Sequence, residues 1–352
     1  MIRNIIKFIW SFIPGTFKAD SLKNTIYKLL IVYEEKIKVK HHKSKTINVV
    51  YDCAVSPPTY GDFIYILMVS RYFMKKKYNT KLIIINGEYR KETWQRIKKK
   101  NYEKKVLEFK QLAINFKSQD KIEVKNWKTF ALDYENKKND EEFFFKERVL
   151  ERKRIYSHSF NFLNLQLKSE KKSFQKKFLI NKNSFDSFLK HKLPKQYIAI
   201  HFRYSKKRKL NEFSKNISTS RNISYNLFKL SIEKLSKKFP NLKLIIISER
   251  SAIKEFKKFK IKNNNLVYAD IFSNNILGDA AIVLNSKLYF QVKGGGIYTF
   301  ALFSNVNSIY IHNTPTNELT VNKFRYSSWQ NINHRYIIAN SDKEVENILN
   351  NL

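Results

Sequence analysis

The chain has little glycine and little proline, 7 and 6 residues in 352. That scarcity excludes collagen-like repeats and Gly/Pro-rich low-complexity sequence. Its one cysteine, Cys53, excludes an intramolecular disulfide and a thiolate metal cluster. Its 7 histidines show neither H-x-x-x-H nor H-E-x-x-H spacing, so no His-based zinc site is expected. No apolar run reaches the roughly 18 to 20 residues of a membrane span. Acidic side chains are also few: 30 Asp plus Glu stand against 68 Lys plus Arg, a formal net charge of +38.

What is present points to a folded protein. With 43% hydrophobic and 15% aromatic residues the chain can bury a large core, which excludes disorder despite the charge. The length suits two domains. Of the cations, 55 are Lys and 13 are Arg, and they are scattered along the whole chain. A nucleic-acid binder concentrates its basic residues on one face or arm, so nucleic acid is not the expected partner. The charge reads mainly as compositional background. It also suits an anionic substrate or an anionic membrane surface. A non-catalytic basic protein that binds nucleic acid or an anionic polymer is the alternative, and it rests on the charge alone.

Residues 1–45 read as a basic, amphipathic, helical extension. The opening MIRNIIKFIWSFIPG lacks a small-x-small cleavage site and ends at Pro14-Gly15. It is read as an interfacial anchor or as a helix packed on the protein's own surface. Residues 46–190 read as a first Rossmann-like domain with a helical insertion. TINVVYDCAV is a strand, DFIYILMVSRYFMKKK a helix with Asp62 placed to cap it, and KLIIIN a second strand. Between 88 and 190 strand signals are few. Residues 191–340 read as a second Rossmann-like domain with five strands, QYIAIHF, NLKLIIIS, NLVYAD, KLYFQV and NSIYIH, alternating with helices. A helix closes the chain at 341–352.

Because glycine is scarce, its placement carries information. Gly294, Gly295 and Gly296 stand together between a strand and a helix. Three glycines allow positive φ and close approach of a ligand, and the N–H groups of the following helix offer an anion site. Neither a Walker A loop nor G-x-G-x-x-G is present. Tyr60-Gly61-Asp62 lies at the carboxyl end of the first strand, where α/β folds place ligands. Asp62 is either a helix cap or a carboxylate facing an acceptor hydroxyl. At the end of the strand YIAIHF, alternation puts His201 and Arg203 on one side and Phe202 on the other. An Arg there suits a diphosphate, while His201 is either a ligand contact or a structural histidine. Lys206, Lys207 and Arg208 follow. Ser248 and Glu249 lie past another buried strand, with helix capping by Ser248 or contact with a base or ribose as the two readings. Asp279 either contacts a nucleotide or caps a helix. The polar run HNTPTNE (312–318) ends the last strand and lines a cleft or forms an ordinary turn.

These residues suggest a family. The second half resembles the nucleotide-binding domain of GT-B glycosyltransferases. His201-Phe202-Arg203 is similar to the His-x-Arg motif of the α-1,6- and protein O-fucosyltransferase group, in which the Arg grips the pyrophosphate of a GDP-sugar. Ser248-Glu249 and the run from Asp279 to Ser304 are similar to later segments of that group, with the glycine triplet standing where a Ser/Thr-rich turn is usual. Gly61-Asp62 resembles the Gly-Asp of lipopolysaccharide heptosyltransferases, whose Asp is the proposed base. Their final strand also resembles YIHNTPTNE, with His312-Asn313 where Gly would stand. The resemblance implies two Rossmann-like domains facing a cleft, a nucleotide-sugar donor and a glycan or lipid-linked acceptor. It implies donor contacts at His201, Arg203, Ser248, Glu249, Asp279 and Gly294 to Gly296. Acceptor contacts fall at Tyr60, Gly61 and Asp62. Asp62 and Arg203 are the catalytic pair, with no cofactor and no metal, and the enzyme would be cytoplasmic, on the inner face of the membrane.

Overall fold

The computed structural model describes residues 45–53, 59–86, 102–117, 119–145, 179–204, 222–313 and 333–352. The basic segment 1–44, the cations Lys206, Lys207 and Arg208, and residues 314–318 of the polar loop lie outside them. Among the described residues no helix is long and apolar enough to cross a membrane.

The first sheet joins β1 (Thr46–Asp52), β2 (Asn79–Ile85), β3 (Lys121–Lys125) and β4 (Glu142–Phe145) in the order β3-β2-β1-β4, every pair parallel. Helix α1 (Tyr60–Lys75) links β1 to β2, α2 (Tyr102–Phe116) precedes β3, and α3 (Trp127–Lys137) connects β3 to β4. The sequence expectation of few strands here is corrected by β3 and β4. The run KIEVK alternates charged and apolar residues because it is an edge strand. Lys121 and Lys125 flank Glu123 and pair with it, which guards an otherwise exposed ladder. The four residues of β4, EFFF, are too short to show a period.

The second sheet holds β5 (Tyr197–Phe202), β6 (Lys243–Ile247), β7 (Leu266–Tyr268), β8 (Leu288–Val292), β9 (Asn307–Asn313) and β10 (His334–Ala339). Its order is β10-β9-β8-β5-β6-β7, all parallel. Counted from β5 this is 3-2-1-4-5-6, the doubly wound order that switches direction between its first and fourth strands. Helices α4 (Tyr225–Lys238), α5 (Arg250–Lys258), α6 (Ile276–Leu284), α7 (Tyr298–Leu302) and α8 (Asp342–Asn350) complete the half. The sequence showed five strands, and β10 is a sixth. Its HRYIIA is only partly buried, so its apolar pattern is broken.

Alternation along the central strands sorts the core. Ile198, Ile200 and Phe202 of β5 and Leu244 and Ile246 of β6 face α4, α5 and α8. Tyr197, Ala199, Ile245 and Ile247 point the other way, into a cluster that also holds Val49, Tyr51, Phe63 and Leu82 of the first half. The halves therefore share a core. Aromatic contacts run across it: Phe116 of α2 lies 6.4 Å from Phe300 of α7, and Tyr65 of α1 lies 5.7 Å from Phe303.

Backbone conformation overturns one expectation about glycine. No described glycine has positive φ; four lysines do, Lys77, Lys117, Lys260 and Lys293. The first three sit just past the ends of α1, α2 and α5, the place where glycine usually closes a helix. A side chain there costs about 1 kcal/mol. Glycine is kept instead where two groups must come very close.

Candidate functional site

The site is built where the start of α1, after β1, meets the turn that follows β8. Thr59, not Asp62, caps α1, and its hydroxyl oxygen accepts from the Asp62 N–H at 3.2 Å. The Thr59 hydroxyl in turn donates to Asp62 Oδ2. Asp62 is the third residue of the helix, and among the described residues its carboxylate meets the hydroxyl of the cap residue rather than the cap's backbone N–H. One carboxylate oxygen is thus oriented, and the side chain is only partly buried.

Gly61 meets Gly296 backbone to backbone. A Cβ added to Gly296 would stand 2.8 Å from the Gly61 nitrogen, and one added to Gly61 would stand 3.1 Å from the Gly296 Cα. Only two glycines can pass so closely. Gly295 has a different constraint: a Cβ there would lie 2.2 Å from His201 Cε1. The His201 ring therefore fills the space that a side chain at 295 would take. Helix α7 after the triplet is five residues long, so its dipole is weak, and the expected helix anion site reduces to the turn itself. Among the described residues no acceptor meets the N–H groups of Gly294, Gly295, Gly296 and Ile297.

His201 is buried, and among the described residues its Nδ1 has no hydrogen-bond partner. Burial, aided by Arg203, pushes the imidazole down to about 3, so it is neutral at physiological pH. It pairs in register with Gln291 of β8, whose side-chain oxygen accepts from the Tyr289 hydroxyl. Arg203 is partly buried just past β5, and its carbonyl accepts from the Ile223 N–H at 2.9 Å.

A second cluster adjoins the first. The Tyr60 hydroxyl donates to Glu108 Oε2. Lys105 Nζ stands 3.0 Å from the Tyr60 ring centroid and 3.7 Å from Glu108 Oε2. Burial lowers the Lys105 ammonium to about 7, against the opposing pull of Glu108 and Glu249. Burial, Glu108, Asp279 and Glu249 raise the Tyr60 phenol well above its ordinary value. Glu249 and Asp279 belong to the second half, so the two halves are in electrostatic contact at Tyr60.

Asp279 is buried in an ion pair. Arg250 Nη2 donates to its Oδ1 at 2.8 Å and to Ser273 Oγ at 3.0 Å. Burial raises the carboxyl above the usual aspartate range, with Arg250 and Ser273 pulling against it. The cap of α6 is Asn275 rather than Asp279. Ser248 does not cap α5 either: its hydroxyl donates to the Phe202 carbonyl at 2.8 Å, and the cap position is Glu249. His312 packs in an aromatic cluster, with Nδ1 2.7 Å from the Tyr310 hydroxyl.

The structure thus brings together Tyr60, Gly61, Gly296, Gly295 and His201 by contact. Glu249 and Asp279 join through their fields. Lys105 and Glu108 were not legible in the sequence, because a helix in a charged stretch carries no mark of what it will face. Arg250 was visible beside Glu249, but its partner Asp279 lies 29 residues away.

No family model matches the chain, and no curated protein does. Among solved structures it is similar to the E. coli heptosyltransferase WaaC with ADP, at 7% identity and a TM-score of 0.46, covering 87% of this chain and 97% of that one. A likeness of that size carries no argument about activity, and the functional reading rests on the residues.

Proposed function

We propose that the chain is a glycosyltransferase of GT-B-like organisation. It moves a sugar, fucose or another hexose or heptose, from a nucleotide-sugar to a cell-surface polysaccharide or lipopolysaccharide acceptor. The observation that carries this reading is the meeting of Gly61 with Gly296. It sets the start of α1, which carries Asp62, against the glycine turn on which His201 is seated, two residues before Arg203. Doubly wound sheets bind ligands in that crevice, at the switch between β5 and β8.

In this reading the nucleotide diphosphate, GDP in the first instance, lies against the Gly294–Gly296 N–H groups and Arg203. These stabilise the charge that develops on the departing diphosphate oxygen. His201, held neutral, offers a hydrogen bond without a charge. Asp62 takes the proton of the acceptor hydroxyl as general base. The acceptor oxygen forms a bond to the anomeric carbon while the bond from that carbon to the diphosphate oxygen breaks, its electron pair leaving with the diphosphate. One displacement inverts the carbon. The acceptor is a glycan or a lipid-linked glycan, reached from the inner face of an anionic membrane.

A thermal-shift screen against GDP-, UDP-, ADP- and CMP-sugars tests the reading. One nucleotide should raise the melting temperature with concentration. No shift with any of them, together with tight and strongly salt-dependent oligonucleotide binding, would favour the basic-protein alternative.

A further inference from the structure

Lys293 stands at the end of β8, immediately before the glycine triplet. It is the fourth lysine with positive φ, at 58°, and the one of the four that closes a strand rather than a helix. It is buried, at 4% exposure. Three contacts hold it. Its N–H donates to the Ile311 carbonyl of β9 at 3.0 Å. Its Nζ donates to the Asn222 carbonyl, in the segment entering α4, at 3.2 Å and pairs with Asp342 Oδ1 at 2.7 Å. Asp342 lies in the first turn of α8, a helix that packs on α4, β9 and β10 and whose Val345 and Leu349 share a core cluster with Phe290 and Val292 of β8.

A left-handed residue is costly for anything but glycine. Glycine would make this turn freely, yet it has no side chain to reach Asp342. The backbone reversal at Lys293 and the ammonium tie therefore act together. They set the direction in which Gly294, Gly295 and Gly296 leave the sheet, and so the seating of Gly295 on His201.

We propose that Lys293 is a positioning residue of the site, and that Asp342 of α8 acts through it to hold the glycine turn closed over His201. The inference rests on the reading of that turn as the donor site. It makes the C-terminal helix, which contributes no group to the site, part of the support of the site.

The test follows the His201 imidazole by NMR through a pH titration of the whole chain. Lys293→Met, Asp342→Asn and Lys293→Arg are compared with the parent. In the parent the ring stays neutral far into acid, because burial holds it at about 3. In Lys293→Met and Asp342→Asn the turn loosens and water reaches the ring. The midpoint rises by one pH unit or more toward 6.5, a tenfold gain in proton affinity. Lys293→Arg keeps the cation and stays near the parent. Asp342→Asn leaves Lys293 in place, so it gives the result even if Lys293→Met does not fold. An unmoved midpoint in Asp342→Asn overturns the proposal, whatever the melting temperature does. The measurement needs no substrate. A shifted His201 in a chain that binds none of GDP, UDP, ADP and CMP would remove the glycosyltransferase reading and keep the role of Lys293. Nucleotide binding with an unmoved His201 would do the reverse.

Discussion

The two sheets begin with the same strand order and carry their polar groups differently. In the first, the buried Asn48 of β1 donates to Glu141 at 2.7 Å, and Lys81 of β2 donates to the same carboxylate at 3.0 Å. Burial pushes that carboxyl up, and these two bonds together with the charges of Lys81 and Lys137 more than offset it. Among the described residues these bonds tie β1 and β2 to the residue just before β4. In the second, His201, Gln291 and Lys293 gather on neighbouring strands at the switch point, and His201 keeps an unpaired nitrogen. The first half reaches the site from helices, through Tyr60, Asp62, Lys105 and Glu108. Topology alone does not separate the halves, and each holds buried polar atoms without a partner among the described residues, Ser70 Oγ, Arg71 Nε and Asn86 Oδ1 in the first and His201 Nδ1, Arg250 Nε and Asp270 Oδ1 in the second. What sets His201 apart is its place at the switch point.

The sharpest way to break that contrast is to cut one ion pair in each half. Arg250→Met leaves Asp279 buried without its partner, and should cost about 3 kcal/mol or more in denaturant unfolding. Lys81→Met, at a pair about one-fifth exposed on either side, should cost about 1 kcal/mol or less. Equal losses would mean that the second half is not the more demanding one.

Next comes the seam. Gly296→Ala places a methyl against the Gly61 nitrogen, and Gly61→Ala meets the Gly296 Cα less tightly. Overpacking should cost about 1–3 kcal/mol, more for Gly296→Ala than for Gly61→Ala. A chain that melts unchanged with either substitution would show that the halves do not meet as described.

The last effect, seen only as a dependence on pH, concerns Lys105. Its folded value, about 7, lies below the ordinary 10.5. The unfolded chain therefore binds more protons between those values, and stability rises with pH across that window. Relative to Lys105→Met, the parent should gain about 2 kcal/mol from pH 7 to 9, where a full proton would give about 1.4 kcal/mol per pH unit. Parallel stability curves for parent and variant would place Lys105 in water rather than over Tyr60.

Much of the architecture was legible as apolar runs bounded by polar turns: β1, β2, β5, β6, β8 and β9 are all buried on both faces, as parallel strands should be. The strands that escaped, β3, β4 and β10, are short or half-exposed, so neighbours rather than periodicity define them. At the site the rarity of glycine pointed to the right turns for half the right reason. Close approach at Gly61, Gly295 and Gly296 is real, but the left-handed backbone is given to lysine. Thr59 was overlooked as a cap because Asp62 looked sufficient. The pairing of Arg250 with Asp279 and the stacking of Lys105 on Tyr60 arise from segments distant in sequence, and only the fold assembles them.

The most direct measurement pairs donor affinity with turnover in two variants, using the nucleotide-sugar found by thermal shift. Arg203→Ala should weaken donor binding and abolish turnover in a folded chain. Asp62→Asn should keep donor Kd within about threefold while kcat falls by about 100-fold or more, the scale of a lost general base. Turnover near the parent level in either folded variant would contradict the assignment of donor charge to one half and acceptor proton to the other.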